Sequence, residues 1–432
     1  MNQLARELNA LLEGTVIGRV MSEYGLRSFF PKGIVAQSAE ASAKANRFNA
    51  TVGMAYAAGN PILANAVSKQ IPGFSARESV AYSPTAGTPR LRDTWEAEIR
   101  RKNPGLAGAS MSKPVLTTGL TNGIFQLGEL FVDPDDRIIM PDLFWGNYRL
   151  MLETRREARI VTFPFFDDSN SFNTAAFRAA CEKHRSAGKL MILLNFPNNP
   201  AGYAPTVKEA DAIVAALHDL AEDGLDIIVV TDDAYFGLYY RDDVYGESLF
   251  SRCADLHERV LACKVDGATK EEYLWGLRLG FITIAAKGLT QVHYDAFEKK
   301  LTGSIRASVS NGNTLGQSIL LRMLEDPAWQ NEKEHIYRDM RTRYETVQGL
   351  LASYDGPLVA LPCNAGYFMS FDCGELDAEQ IRVYLLERGI GTISIQNRFL
   401  RVAFASVDAE DLPSLYKEIF DAAHAIREEQ TQ

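Results

Sequence analysis

The chain reads as an α/β protein: a mostly parallel central sheet sandwiched by helices, joined to a smaller α+β domain. Three observations predict this. The middle of the chain alternates short β-rich runs with helical stretches, with strands expected at 115–118, 137–140, 190–195, 226–232, 259–264 and 279–285. Several of those runs are apolar throughout instead of alternating, the pattern of strands covered on both faces. The C-terminal quarter then changes character: a long helix over 331–351, β-like runs at 367–371 and 399–404, and a closing helix from about 408.

Length and composition agree with that class. At 432 residues the chain exceeds what one small core needs, and two domains are expected. Apolar residues make up 46% and charged residues 23%, the balance of a globular protein in water. A formal net charge of −10, with no clustering of Lys and Arg, argues against a nucleic-acid partner. Apolar runs are too short to cross a bilayer. The opening segment, 1–12, reads as an amphipathic helix and not as a signal peptide, so a cytoplasmic home is expected. Five cysteines without CxxC spacing read as reduced thiols, and six scattered histidines form no metal-binding pair. The expected division is an N-terminal segment (1–60) completing the small domain, a large domain (61–324) and a C-terminal small domain (325–432).

Taken in chain order, the ends of the expected strands carry the chemistry. In sheets of this type ligands sit beyond the carboxyl ends of the strands. Gly119-Leu-Thr-Asn-Gly123 follows the first strand and opens an apolar helix, a junction suited to a phosphate held by backbone N–H groups at a helix N-terminus. Trp145 follows the second strand, where an indole is able to stack on a flat ring. Asn199, before Pro200 and Gly202, lies at a strand-to-turn junction from which its amide would reach a ligand oxygen. Asp232 closes the apolar run 226–232, and Tyr235 follows three residues later. A carboxylate there suits a ring nitrogen that must stay protonated. Lys270 stands in a small-residue loop after the next strand, with Arg278 eight positions on. That layout suits an aldehyde cofactor joined to the lysine as a Schiff base, with the arginine on its phosphate. Each residue alone has an ordinary reading, as turn, helix cap, core filler or solvated charge.

The ordered set is the stronger signal. Tyr82-Ser-Pro-Thr-Ala-Gly87, Asn198-Asn-Pro-Ala-Gly202, Asp232-Asp-Ala-Tyr235, Thr269-Lys270 with Arg278, and Arg401-Val-Ala-Phe-Ala405 resemble, in order and spacing, the class I aminotransferases of the fold-type I pyridoxal-phosphate superfamily. The resemblance spans about residue 30 to the C-terminal helix. It implies pyridoxal 5′-phosphate as cofactor and Lys270 as the Schiff-base lysine that also moves the substrate proton. It pairs Asp232 with the ring nitrogen and puts Asn199 and Tyr235 on the phenolic oxygen, with Trp145 over the ring. Gly119, Leu120, Thr121, Thr269 and Arg278 match phosphate-holding positions. Tyr82 matches a tyrosine that reaches the partner subunit's phosphate, which implies a homodimer with shared active sites. Arg401 matches the arginine that forks onto the substrate α-carboxylate, and Gly53 a backbone contact near it. Gly267 departs from the pattern, standing where many members place a serine. So do Leu120, at a position usually small or hydroxylated, and Ala201, which replaces a common threonine.

Ser304-Ile-Arg-Ala-Ser-Val-Ser-Asn311 resembles the stretch with which aspartate and aromatic aminotransferases send an arginine into the neighbouring site. On that resemblance Arg306 would meet the distal carboxylate of aspartate or glutamate. The expected reaction moves an amino group between an L-amino acid and a 2-oxo acid. The alternatives are a β-eliminating lyase on the same scaffold and, further off, a pyridoxal-phosphate-binding transcriptional regulator. The regulator would need an additional DNA-binding domain.

Overall fold

The fold was analysed in a computed structural model that describes residues 1–3, 6–7, 10, 34–51, 55–57, 60–62, 65–68 and 73–431. Half of the expected opening helix, and Gly53, lie outside the described residues.

Seven strands build the large sheet: β1 (Val115–Thr118), β2 (Arg137–Pro141), β3 (Arg159–Phe163), β4 (Lys189–Asn195), β5 (Asp226–Asp232), β6 (Val260–Asp266) and β7 (Leu279–Ala285). Their spatial order is β1-β7-β6-β5-β4-β2-β3. Only β7 runs antiparallel, to both β1 and β6, and every other neighbouring pair is parallel. All seven residues of β7 are buried, as are six of seven in β4 and β5, which explains why these segments read as continuous apolar runs. The sequence reading missed β3. It is an edge strand with an exposed or half-buried outer face, and Arg159-Ile-Val-Thr-Phe163 lacks the long apolar run that marks its neighbours. β6 begins one residue later than expected and runs two residues further, to Asp266.

Helices cover the sheet. α1 (Pro89–Lys102) precedes β1, and α2 (Gly119–Phe131) links β1 to β2. α3 (Thr174–Lys183) and α4 (Val207–Glu222) follow β3 and β4. α4 starts where it does because Thr206 and Glu209 form a capping box, in which Glu209 Oε2 accepts from Thr206 N at 2.6 Å. After β7 come α5 (Gln291–Ser308) and α6 (Thr314–Glu325).

The long helix α7 (Trp329–Ala352) opens the C-terminal part. A four-stranded antiparallel sheet follows, built of β8 (Val359–Ala360), β9 (Met369–Asp372), β10 (Ile393–Ile395) and β11 (Phe399–Val402) in the order β8-β9-β11-β10. α8 (Ala378–Glu387) and α9 (Leu412–Thr431) pack beside it. The N-terminal segment joins this layer. Phe48–Asn49 pairs in parallel with Ile390–Gly391, and the Gln37 side chain bonds both backbone groups of Ser394, at 2.8 and 3.0 Å. Buried apolar side chains of both sheets form one contiguous cluster. No helix among the described residues is long and apolar enough to cross a membrane.

Candidate active site

The carboxyl ends of β4 and β5 lie in register, Asn195 opposite Asp232, and the loop after β6 brings Lys270 to the same end of the sheet. Asp232 is buried. Its Oδ2 accepts from Tyr148 Oη at 2.6 Å and its Oδ1 from Ala234 N at 3.1 Å. Burial raises this carboxyl above its usual range, against the pull of the Tyr148 hydrogen bond and of the Lys270 charge. The Lys270 amine lies over the Tyr235 ring, 4.9 Å from its centroid. Loss of water around it lowers its pKa to about 8, with Asp232 pulling up and Arg278 pushing down. Sequence reasoning thus placed Asp232, Tyr235, Lys270 and Arg278 in one neighbourhood, and the structure assembles them.

Asn199 and Arg401, 202 positions apart in sequence, meet directly: Arg401 Nη1 donates to Asn199 Oδ1 at 2.9 Å. Arginine has no acceptor, so this contact turns the Asn199 oxygen toward it and leaves the amide N–H₂ free to donate elsewhere. Arg401 Nη2 donates to the Thr51 carbonyl at 3.0 Å, and the guanidinium lies 4.1 Å from the Phe368 ring centroid. The residue is 2% exposed, and its Nε has no hydrogen-bond partner. Burial lowers its pKa to about 10, so it stays charged at neutral pH. Phe368 also packs edge-on against Tyr235, at 5.5 Å between centroids.

A third group lies where α2 begins. Gly119 has φ +78, and a Cβ there would sit 2.6 Å from Arg278 Nη2, so only glycine lets the guanidinium approach the helix N-terminus this closely. Leu120 and Thr121 continue the first turn, where backbone N–H groups lack intrahelical partners. Thr269 Oγ1 is buried without a hydrogen-bond partner. Arg278 itself has φ 56, a left-handed backbone that a non-glycine residue adopts at a cost of about 1 kcal/mol. The departure at Gly267 has a packing reason: a Cβ there would lie 2.4 Å from the Leu279 carbonyl oxygen of β7. These features fit a phosphate-bearing aldehyde. An arginine meets a helix N-terminus, and an unsatisfied hydroxyl stands in the loop that carries Lys270. A lysine with a lowered pKa and a buried acid act on each other beside them.

Trp145 is half-buried and meets Tyr148 edge-on at 5.5 Å between centroids. Tyr82 and Arg306 are on the surface. Tyr82 is 91% exposed, and Arg306, also exposed, donates to Ser310 Oγ at 2.7 Å. Their segments adjoin, since Ser83 Oγ donates to the Gly312 carbonyl and Thr85 Oγ1 to that of Ser310, both at 3.2 Å.

Similarity to known proteins resolves the family. The model of the aminotransferase class I and II family matches residues 53–419. The chain belongs to this family. As a class I/II aminotransferase it is a pyridoxal-phosphate-dependent transaminase, and the lyase and regulator readings are not favoured. Among its relatives is an aspartate/prephenate aminotransferase of Thermus thermophilus, 25% identical over 326 residues, which are 74% of this chain and 76% of that protein. Another is an asparagine–oxo-acid transaminase of Streptococcus mutans, 26% identical over 66% of this chain and 67% of the relative. In fold, the aminotransferase resembles one from Anaerococcus prevotii, with a TM-score of 0.83 and 22% identity over 94% of this chain and 99% of that one.

Sequence reasoning missed Tyr148, Thr51 and Phe368. Tyr148 had a usable signal, since it stands three residues after Trp145 in the same strand-end segment. Burial first, then Asp232, keeps its phenol protonated and so a steady donor. Tyr148→Phe removes a hydrogen bond to a charged group, so kcat/KM is expected to fall by roughly 10–100-fold, the equivalent of about 1.5–3 kcal/mol. Because that bond stabilises the ionised carboxylate, its loss raises the Asp232 pKa further. The acid limb of the pH–rate profile should move to higher pH, and a limb that stays in place argues against the role of Tyr148.

Proposed function

We propose that the aminotransferase moves an amino group between an acidic L-amino acid, aspartate or glutamate, and a 2-oxo acid. In this reading Lys270 is the cofactor-binding and proton-moving residue, and Arg401 anchors the substrate α-carboxylate. What supports it most is the Lys270 amine, its pKa lowered to about 8 between Asp232 and Arg278, at the sheet end where Asn199 meets Arg401. When bound, pyridoxal phosphate supplies an aldehyde that takes up the amino group and a ring that accepts electrons.

The protein's own groups do the rest. Gly119, Leu120, Thr121, Thr269 and Arg278 hold the phosphate, with Tyr82 contributed from the partner subunit. Asp232, braced by Tyr148, keeps a proton on the ring nitrogen. Asn199 and Tyr235 donate to the phenolic oxygen, and Trp145 covers the ring. Asn199 is able to serve cofactor and substrate at once, because its oxygen already faces Arg401. The Lys270 amine would act as the base that takes the proton from the substrate Cα and as the acid that gives it back. Gly53, which lies outside the described residues, is assigned a backbone contact near the carboxylate on the family resemblance alone.

The same reading divides the protein into an N-terminal segment (1–60), a cofactor-binding domain (61–324) and a small domain (325–432). It makes the protein a homodimer with shared sites, whose ligands are small amino and oxo acids, without nucleic acid or membrane. The exposed, adjoining segments of Tyr82 and Arg306 support the shared site. Five free cysteines, all buried, support a reducing, cytoplasmic home.

Substrate choice rests on Arg306. Arg306→Ala is expected to lower kcat/KM for aspartate by roughly 10–100-fold while leaving alanine nearly unchanged, because only the acidic donor loses a charge-assisted bond. Steady-state kinetics on both donors decide the matter. An unchanged ratio of the two removes acidic specificity and leaves the transamination reading intact.

A further inference from the structure

Both residues after Lys270 are acidic and inside the protein: Glu271 is 5% exposed and Glu272 0%. Taking a carboxylate out of water costs several kcal/mol unless partners repay it, and here the partners come from two distant helices. Lys102, the last residue of α1, donates to Glu271 at 2.5 Å and to Glu272 at 3.0 Å. Lys333, in α7, donates to Glu272 at 2.8 Å and lies 3.6 Å from Glu271. Trp329, the first residue of α7, donates from Nε1 to the other Glu272 oxygen at 2.8 Å. Glu272 is thereby fully satisfied. Burial works against its charge, yet Lys102 and Lys333 hold its pKa well below the usual carboxylate range.

This cluster takes no part in the chemistry described above. The charges acting on the Lys270 amine are those of Asp232 and Arg278. The turn carrying Lys270 has few backbone restraints of its own. Tyr273 N reaches the Lys270 carbonyl at 3.3 Å, Leu274 N reaches that of Ala268 at 3.1 Å, and Tyr273 has φ 55. A lysine side chain is long and freely rotating, so its aim depends on how firmly its Cα is held. Misplacement of about 1 Å is able to cost 100-fold in rate.

We infer that Glu272, backed by Glu271, is a positioning residue for the Lys270 amine: ion pairs to Lys102 and Lys333, with the Trp329 bond, clamp the turn between α1 and α7. The inference rests on the proposed role of Lys270 and adds to it the residue that holds it in place.

The test is Glu272→Gln, which keeps the shape and an acceptor for Trp329 while removing the charge. Two quantities are read per folded molecule. The first is the rate at which pyridoxal phosphate added to the apoprotein becomes fixed at residue 270, followed by borohydride trapping and peptide mass spectrometry. It should fall about 10-fold. The second is the primary isotope effect on kcat with a Cα-deuterated donor. It should rise, because proton transfer becomes slower, while the donor KM set by Arg401 stays unchanged. A purely structural role lowers the folded fraction, and neither quantity follows that fraction. Should Glu272→Gln not fold, Lys333→Met, which leaves Glu272 two partners, is expected to move both quantities the same way by a smaller factor. Wild-type values in the folded variant overturn the inference. Failure of the wild-type protein to trap the cofactor at Lys270 overturns the proposed site instead.

Discussion

Lys270→Ala is expected to lower transamination by at least about 10⁴-fold, since in the proposed site it deletes both the group that binds the aldehyde and the proton carrier, the latter alone worth roughly 10²–10⁴-fold. The visible absorption of the bound cofactor should shift to that of free pyridoxal phosphate, and fluorescence anisotropy should show residual binding through the phosphate group of Gly119, Thr269 and Arg278. The lowered pKa adds a signed pH dependence in the unmodified protein. Below about 8 the amine carries a proton and is not a nucleophile; above it, the free base attacks. Cofactor capture by the apoprotein should therefore speed up as pH rises from 6 through 8 and level off beyond 9, a trend absent in Lys270→Ala. A profile still climbing steeply at pH 10 would mean that the lysine is an ordinary solvated one.

Arg401→Ala should be nearly as damaging, but in a different parameter. Arg401 holds Asn199 and the Thr51 carbonyl with its two terminal nitrogens and keeps a buried Nε unpartnered. Its removal is expected to reduce kcat/KM for every amino and oxo acid by roughly 10²–10³-fold, in the range of 2–5 kcal/mol for truncating a buried charged pair. The loss should fall mainly on KM, with the cofactor's visible band intact. Arg401→Lys is expected to recover little of it, because an ammonium is a point charge without the planar fork that matches a carboxylate. Single-turnover titration with the amino donor separates the two outcomes, and a donor affinity close to wild type would assign the carboxylate to another residue.

The residues of the proposed site were legible in sequence because its chemistry is local to strand ends. A parallel sheet buried on both faces writes itself as continuous apolar runs, and a residue closing such a run lies at the rim where ligands bind. Asp232, which closes such a run, and Gly119, Asn199 and Lys270, which follow one, were singled out on that ground. The edge strand β3 escaped it, since pairing on one side only demands no continuous apolar run. Gly267 departs from the family pattern, standing where a serine is common. Its explanation is the Leu279 carbonyl of β7, which leaves no room for a side chain.

Other features belong to the folded chain alone. Nothing in the spacing of Tyr148 and Asp232, or of Arg401, Asn199 and Thr51, announces that they are bonded partners. Nor does it show that the two glutamates after Lys270 are gripped by helices that begin and end far away in sequence. The amino-acid sequence by itself determined the α/β class, the order of the strand ends and the residue types offered at each. Tertiary structure decided which of them share a hydrogen bond, how far the lysine and arginine pKa values fall, and which side chains brace the reactive ones. The reason is physical: periodicity and propensity act between near neighbours, while desolvation and charge pairing depend on distances in space that only the packed core defines.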